Sequence, residues 1–174
     1  MTAATKRVIH QMEHVPQPLP PTHANQTAMP PQSTVDPEST VREWLHKCNA
    51  ALGAKNVDAF VSLFHDAGWW RDVLNVEFDY NSLKKHEIKP YLSKRQASLP
   101  DIEHLTLERP HDVQRVPVAP GIEWIQAYLS YETPTTRGIG FLRLREMDGG
   151  DWGAYTLFVR LSCLLLRHLA LLTG

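Results

Sequence analysis

Residues 62–75 read Ser-Leu-Phe-His-Asp-Ala-Gly-Trp-Trp-Arg-Asp-Val-Leu-Asn, and this stretch decides the fold. An amphipathic helix is predicted to end at Phe64 or His65, and a strand with two adjacent tryptophans follows directly. Adjacent residues of a strand point to opposite faces of a sheet. We therefore expect one of Trp69 and Trp70 to line a core or pocket and the other to meet a helix or a second subunit. This pattern is typical of a curved sheet around a hollow.

Length and charge limit the classes to which the chain can belong. Its 174 residues suffice for one domain with an adequate core, and its net charge is −1. No run of basic residues is present, so we expect no nucleic-acid partner. Cys48 and Cys163 lack C-x-x-C spacing, which favours a reducing compartment. Because the N-terminal sequence also lacks the apolar segment of a secretory signal, we expect a cytoplasmic protein.

Residues 1–36 contain six prolines, with Thr, Gln and Ala between them. Such a segment buries too little apolar surface to offset the entropy lost on ordering, so we expect a disordered leader. The folded domain is predicted to span residues 37–163. Asp36 is suited to cap its first helix, Pro37 to occupy the first helical position, and Gly53 to follow the helix as its C′ residue.

Leucine dominates the end of the chain, residues 164–174, without a helical or strand periodicity. The apolar run is too short for a membrane span, and Arg167 and His168 interrupt it, so no span is expected. We interpret this segment as an atypical tail. A shifted reading frame, a retained intron or an alternative transcript would explain it, and the chain would then be a truncated product.

The remaining sequence predicts three helices and a run of strands. The helices are predicted at 37–52, 56–64 and 85–97. The strands are predicted at 68–75, 77–80, 102–108, 121–132, 137–146 and 152–161. This order predicts an α+β domain in which about three helices pack on one face of a curved antiparallel sheet.

Several local motifs occur in a fixed order between residues 38 and 163. They are Val57-Asp58-Ala59-Phe60 with Leu63–Asp72, Trp124-Ile125-Gln126-Ala127, Tyr131-Glu132-Thr133-Pro134, Arg137-Gly138 with Gly140-Phe141, and Ala154–Phe158. These motifs resemble the N-terminal region of fungal flavin-containing monooxygenase-like proteins. The element order resembles the nuclear-transport-factor-2-like (NTF2-like) cone, which ketosteroid isomerases and SnoaL-like cyclases share. The resemblance implies an accessory or ligand-pocket domain that precedes a large region binding FAD and NADP.

The flavin-binding region itself is not predicted in this chain. No G-x-G-x-x-G sequence follows a predicted strand, and Gly138-Ile139-Gly140 lacks the third glycine of a pyrophosphate-binding loop. We therefore expect neither FAD nor NADP to bind, although full-length relatives would be flavin-dependent oxidoreductases. No metal site is expected, because the histidines lack the spacing of a ligand set.

His65 and Asp72 are the candidate acid–base residues, since a carboxylate desolvated beside tryptophan would have a raised pKa. Tyr128 is the candidate hydrogen-bond donor to a developing oxyanion. Tyr128 and Tyr131 lie on opposite faces of one strand, so at most one of them points inward. A largely apolar pocket is expected from Trp69, Trp70, Trp124 and Phe141. The plainer interpretation is that these rings fill the core and that His65 is favoured by the helix dipole.

These residues are compatible with two functions. The first is an NTF2-like accessory or ligand-pocket domain for a small apolar ligand, with a homodimer through the sheet as a further expectation. The second is a small cofactor-free lyase, isomerase or cyclase that acts on an apolar carbonyl compound. An Asp, His and Tyr set that converges inside the pocket would favour the enzyme, whereas a pocket filled by aromatic rings would favour the accessory domain.

Overall fold

The computed structural model describes residues 35–73, 80–94, 102, 104–134 and 136–164. The helices are α1 (Pro37–Gly53), α2 (Val57–Ser62) and α3 (Lys85–Lys94), with a short 3-10 helix at Pro110–Asp112. The strands are β1 (Phe64–Val73), β2 (Tyr80–Lys84), β3 (His104–Leu107), β4 (Gln114–Ala119), β5 (Ile122–Glu132), β6 (Thr136–Glu146) and β7 (Trp152–Leu164). The predictions for residues 1–34 and for the tail after Leu164 lie outside the described residues.

The seven described strands form one curved sheet in the order β2-β1-β7-β6-β5-β3, and β4 pairs with the first half of β5. β1 and β7 are parallel, and the other pairs of neighbours are antiparallel. This arrangement confirms the predicted α+β class. β4 was not predicted, because Pro117 argues against a strand; β4 lies at the edge of the sheet, where proline is tolerated.

Helix α1 begins where the sequence predicts. The Asp36 carboxylate accepts a hydrogen bond from the Ser39 backbone N–H at 2.8 Å, which caps the helix. The buried side of α1 consists of Thr40, Val41, Trp44, Leu45, Cys48, Ala51 and Leu52. Gly53, predicted to follow the helix, is instead its last residue. Lys55 adopts the left-handed conformation, with φ of 51°, so the chain reverses later than predicted.

The junction between α2 and β1 comes earlier than predicted. Helix α2 ends at Ser62, and Phe64 already pairs with Ala154 of β7. The Trp44 indole N–H donates to the Leu63 carbonyl at 3.0 Å, which fixes α1 against this junction. Strand pairing with β7 therefore overrides the helical periodicity of the residues that precede the tryptophans.

The sheet has an inner face, which packs against the helices, and an outer face. The inner side chains that join the helices in one core are Trp70, Leu105, Ile125, Ala127, Leu129, Tyr131, Leu142, Leu144, Leu157 and Val159. The predicted alternation along β5 is confirmed, because every second residue from Ile125 to Tyr131 is buried. The intervening residues, from Trp124 to Ser130, belong to the outer face. Chemistry on the two faces must therefore be considered separately.

Candidate functional site on the inner face

Asp72 is a buried carboxylate on the inner face, with 1% of its surface exposed. It lies near the end of β1, opposite Asn81 of β2 and beside Val159 of β7. Residues opposite each other in neighbouring strands project from the same face, so these two residues flank the carboxylate. Burying a carboxylate is costly unless other groups replace its water, and such positions are frequent in functional sites.

The phenol of Tyr131 shares the inner face with Asp72. Its side chain is also 1% exposed, and its ring lies over Gly138, the opposing residue of β6. Burial raises the pKa of Tyr131, and the negative charge of Asp72 raises it further. The phenol therefore stays protonated at neutral pH and can donate a hydrogen bond to a carbonyl or an oxyanion.

His65 and Asp72 are not brought together. The His65 ring meets Tyr155 edge to face at 5.9 Å between centroids, and its Nδ1 accepts a hydrogen bond from the Ala67 backbone N–H at 3.1 Å. Partial burial lowers the pKa of His65, and the charge of Arg145 lowers it further. Phe64 pairs with Ala154 and Asp72 with Val159 on β7, so His65 and Asp72 lie roughly 15 Å apart at ~3.3 Å per residue of β7. The predicted acid–base pair is therefore split between two ends of the strand.

Tyr128, the predicted oxyanion donor, lies on the outer face. Its side chain is 45% exposed, and its ring contacts Phe141 at 5.2 Å between centroids. The Arg109 guanidinium lies over the same ring at 5.4 Å. Tyr128 is therefore on the other side of the sheet from Asp72, and Tyr131 is the tyrosine that shares its face.

The residues that alternate with each tyrosine in the sequence indicate which face of the sheet it occupies. Tyr131 alternates in phase with Ala127 and Leu129, which are apolar, whereas Tyr128 alternates with Gln126 and Ser130, which are polar. Apolar residues in alternation mark the buried face of a strand. This comparison would have selected Tyr131 as the inward tyrosine.

The four predicted pocket residues divide between the two faces of the sheet. Trp70 belongs to the core, where it is 1% exposed and meets Phe60 edge to face at 5.6 Å. Trp69 points to the opposite face, as the sequence predicted for adjacent strand residues. Trp124 and Phe141 also lie on the outer face, because they alternate with the buried residues of β5 and β6. Trp70 therefore lies on the opposite face of the sheet from the other three rings.

Trp124 and Phe141 belong to a cluster on the outer face that we call the arginine–aromatic stack. The Arg143 guanidinium lies over the Trp124 ring at 4.8 Å and over the Phe141 ring at 5.1 Å. Trp124 stacks on Tyr155 at 5.5 Å with 24° between the planes, and Arg145 lies over Tyr155 at 5.9 Å. These residues form one continuous cluster of cations and rings across three strands.

A groove of about 480 Å³ lies at the other end of the outer face. The side chains that line it include Thr106, Glu108, Ser130, Glu132, Ile139 and Ser162. Glu132 also forms an ion pair with Arg137. His104 and Arg137 also line it, so the groove offers hydroxyl, carboxylate and basic groups on the face opposite Asp72.

In the part of the chain that the structure describes, no group of three or more His, Cys, Asp or Glu side chains is placed to hold a metal ion. Cys48 is buried, and burial raises the pKa of its thiol, so it is a poor nucleophile. Among the described helices, none has the length and apolar character required to cross a bilayer.

Comparison with known proteins shows the fold. No model of a known protein family matches the sequence, and no curated protein matches it significantly. An NTF2-like protein of unknown function from Shewanella baltica is similar in structure, with 12% identity, 75% of this chain and 98% of that chain covered, and a TM-score of 0.51. ActVI-ORFA from Streptomyces coelicolor covers 71% of this chain and 96% of its own, with 10% identity and a TM-score of 0.51.

A ketosteroid isomerase-like protein from Erwinia carotovora is a further structural neighbour. Its identity is 11%, its coverage 74% of this chain and 98% of its own, and its TM-score 0.50. The chain has the NTF2-like fold. Likenesses at this level of identity show the architecture alone, and one fold carries many functions. The function must therefore be argued from Asp72, Tyr131 and their surroundings.

Proposed function

We propose that the chain is a ligand-binding domain of the NTF2-like fold, which holds a small and largely apolar molecule at the inner face beside Asp72 and Tyr131. One observation carries this proposal: a buried carboxylate and a protonated phenol share a face that is otherwise apolar. Small-molecule sites typically combine mostly apolar walls with a few polar groups. A ligand hydroxyl can donate to Asp72, and a ligand carbonyl can accept from Tyr131.

A thermal-shift screen with apolar ketones, alcohols and aromatic carbonyl compounds tests this function. We expect a compound that raises the melting temperature in proportion to its concentration and affinity. Asp72→Asn should weaken its binding about tenfold, which is ~1.4 kcal/mol. Asp66→Asn is the matched control, because Asp66 lies in the same strand with a side chain that is 97% exposed. Equal effects of the two substitutions would contradict a ligand site at Asp72.

A cofactor-free lyase, isomerase or cyclase is the second candidate. Asp72 and Tyr131 favour it, because a carboxylate can take a proton from the carbon beside a carbonyl while a phenol stabilises the oxyanion. In deuterated water, the enzyme would catalyse exchange of that proton in a bound ketone, as NMR can follow. Asp72→Asn should slow the exchange about 100-fold or more, and Asp66→Asn should not. A ketone that binds but does not exchange its proton would exclude the enzyme and support only the ligand-binding function.

A relationship to the N-terminal part of fungal flavin-containing monooxygenase-like proteins is a narrower part of this proposal. Its support is the series of sequence motifs. Two of them, Tyr131-Glu132-Thr133-Pro134 and Arg137-Gly138, carry the tyrosine and the glycine that are in contact at the proposed site. The domain would then serve as an accessory or ligand-pocket domain. The free thiols of Cys48 and Cys163 fit a cytoplasmic location, which we propose with it.

We further propose that this chain binds neither FAD nor NADP. Its sequence has no glycine-rich loop of the G-x-G-x-x-G type that could present backbone N–H groups to a pyrophosphate. The visible absorption of the purified protein after gel filtration checks this. A yellow protein that retains flavin at stoichiometric occupancy would contradict it.

A further inference from the structure

Asn81 carries a buried hydrogen-bond donor beside Asp72. Asn81 of β2 lies opposite Asp72 of β1, and residues opposite each other in neighbouring strands project from the same face of a sheet. Asn81 is half-buried, and its amide Nδ2 is covered and has no acceptor among the described residues. A buried donor without an acceptor is costly. The amide therefore indicates a hydrogen-bond partner from outside the described part of the chain.

The amide of Asn81 does not donate to the carboxylate of Asp72, although the two side chains are neighbours. The Cβ atoms of opposite residues lie about 4.5–5.5 Å apart, and a hydrogen bond joins two atoms about 2.7–3.2 Å apart. A single atom between the two side chains can therefore reach both of them. This arrangement leaves a position at which one small group contacts the amide and the carboxylate together.

The chemistry of these two side chains selects the group that fits between them. The group must accept a hydrogen bond from the amide N–H of Asn81 and donate one to the carboxylate of Asp72. A hydroxyl group does both, whereas a carbonyl or a carboxylate only accepts and an ammonium group only donates. A second carboxylate would also be repelled by the charge of Asp72. The pair therefore favours a hydroxyl group.

Tyr131 supplies the other polar contact on this face. The charge of Asp72 contributes to the raised pKa of the Tyr131 phenol, so the two groups lie close enough to act on each other. The residues in register with Asp72 on the next three strands are Val159, Gly140 and Leu129, and none of them has a polar side chain. The face therefore combines two polar points with apolar surface.

We propose that the ligand of the inner face is a hydroxy-carbonyl compound, whose hydroxyl group lies between Asn81 and Asp72 and whose carbonyl group accepts a hydrogen bond from Tyr131. This inference rests on the ligand-binding function proposed above, and it adds Asn81 as the residue that selects the hydroxyl group. A water molecule can form the same two hydrogen bonds, so the ligand hydroxyl takes its place without loss. A ketone without the hydroxyl group would leave the buried donor unsatisfied.

A matched series of aromatic ketones tests this inference. The compounds are acetophenone, meta-hydroxyacetophenone and para-hydroxyacetophenone, and isothermal titration calorimetry with the full chain measures their affinities. At least one hydroxy compound should bind about tenfold more tightly than acetophenone, because it satisfies Asn81 and Asp72 together. Asn81→Leu should reduce the affinity of that compound to the affinity of acetophenone. The same substitution should leave the affinity of acetophenone unchanged.

Ser82→Ala is the matched control. Ser82 is the next residue of β2 and lies opposite Arg71, so alternation places it on the outer face. This substitution should change neither affinity. The melting temperature of unliganded Asn81→Leu provides a second measurement, and it should equal or exceed that of the wild type, because the substitution removes a buried donor that has no acceptor. A large decrease would assign Asn81 to the scaffold and overturn the inference.

The inference and the ligand-binding function fail in different ways. Equal affinity for all three ketones, with binding that Tyr131→Phe weakens, would overturn the inference and leave the ligand site in place. Equal weakening of acetophenone and its hydroxy derivatives by Asn81→Leu would have the same meaning. Binding that neither Tyr131→Phe nor Asp72→Asn changes, or no binding of any of the three compounds, would contradict both proposals.

Discussion

Tyr131 and Gly138 face each other across β5 and β6, and the phenol ring lies in the space that a side chain at 138 would fill. The contact holds the ring on the inner face, where the charge of Asp72 acts on it. A glycine inside a strand often marks a bend. Contact with Tyr131 gives Gly138 a more specific role, which is to position the phenol.

Gly138→Ala should destabilise the protein by about 1–3 kcal/mol, because the added methyl group would overlap the Tyr131 ring. Urea denaturation measures the change in the free energy of unfolding. Gly53→Ala is the matched control, since nothing lies within 4 Å of the position of the new carbon. At the end of α1 this control should be neutral or stabilising by up to about 1 kcal/mol. Similar losses for both variants would show that Tyr131 does not depend on Gly138.

Trp44→Ala or Phe60→Ala should destabilise the protein by about 3–5 kcal/mol, the range for removing a buried aromatic ring. Trp44 is 2% exposed and also donates a hydrogen bond to Leu63, while Phe60 is 2% exposed and contacts Trp70. Val118→Ala, at a position 45% exposed, should change the free energy of unfolding by about 0.5 kcal/mol or less. Losses below about 1 kcal/mol for both aromatic variants would contradict the described packing of α1 and α2.

Stability should fall at alkaline pH because burial raises the pKa of Tyr131 and of Cys48 above their ordinary values of 10.0 and 9.0. As the pH rises, the unfolded chain loses these protons before the folded chain does. The folded state then binds more protons, so the free energy of unfolding decreases as the pH increases. This contribution is complete below about pH 9 and is lost progressively above it.

Tyr131→Phe should make the free energy of unfolding fall less steeply with pH above about pH 10, where an unfolded tyrosine loses its proton. Urea midpoints measured from about pH 8 to about pH 11 test the effect. Tyr128→Phe, the same change on the outer face of the same strand, should leave the slope as it is in the wild type. An equal flattening by both variants would show that the phenol of Tyr131 is not specially buried.

Removal of residues 1–34 should leave the melting temperature within a few degrees of the full chain. The leader is rich in proline and polar residues, so it offers little surface to bury. The first helix has its own cap in Asp36, which this truncation retains. A scanning calorimeter compares the two proteins, and a large loss of stability would show that the leader packs on the domain.

The sequence predicted the parts of the fold that local chemistry determines. The cap at Asp36 and the apolar period of α1 placed the first helix, and alternation assigned the faces of β5. Alternation within one strand also places Trp69 and Trp70 on opposite faces of the sheet. In each of these cases the information lies within a few residues.

Pairing between distant strands determined what the sequence did not predict. The spacing between His65 and Asp72 follows from β1 continuing as one strand, because Phe64 already pairs with β7. The contact of Trp124 with Tyr155 depends on a register shift between β6 and β7 beside Arg143. No local pattern encodes such a shift, so the arginine–aromatic stack was not predicted.

The affinity of one inner-face ligand for Tyr131→Phe and for Tyr128→Phe tests the central claim most directly. Both substitutions remove one hydroxyl group from the same strand, but only Tyr131 lies on the face of Asp72. Isothermal titration calorimetry with a carbonyl compound from the screen should show about tenfold weaker binding to Tyr131→Phe and unchanged binding to Tyr128→Phe. Unchanged binding to Tyr131→Phe, or a loss confined to Tyr128→Phe, would contradict a ligand site on the inner face.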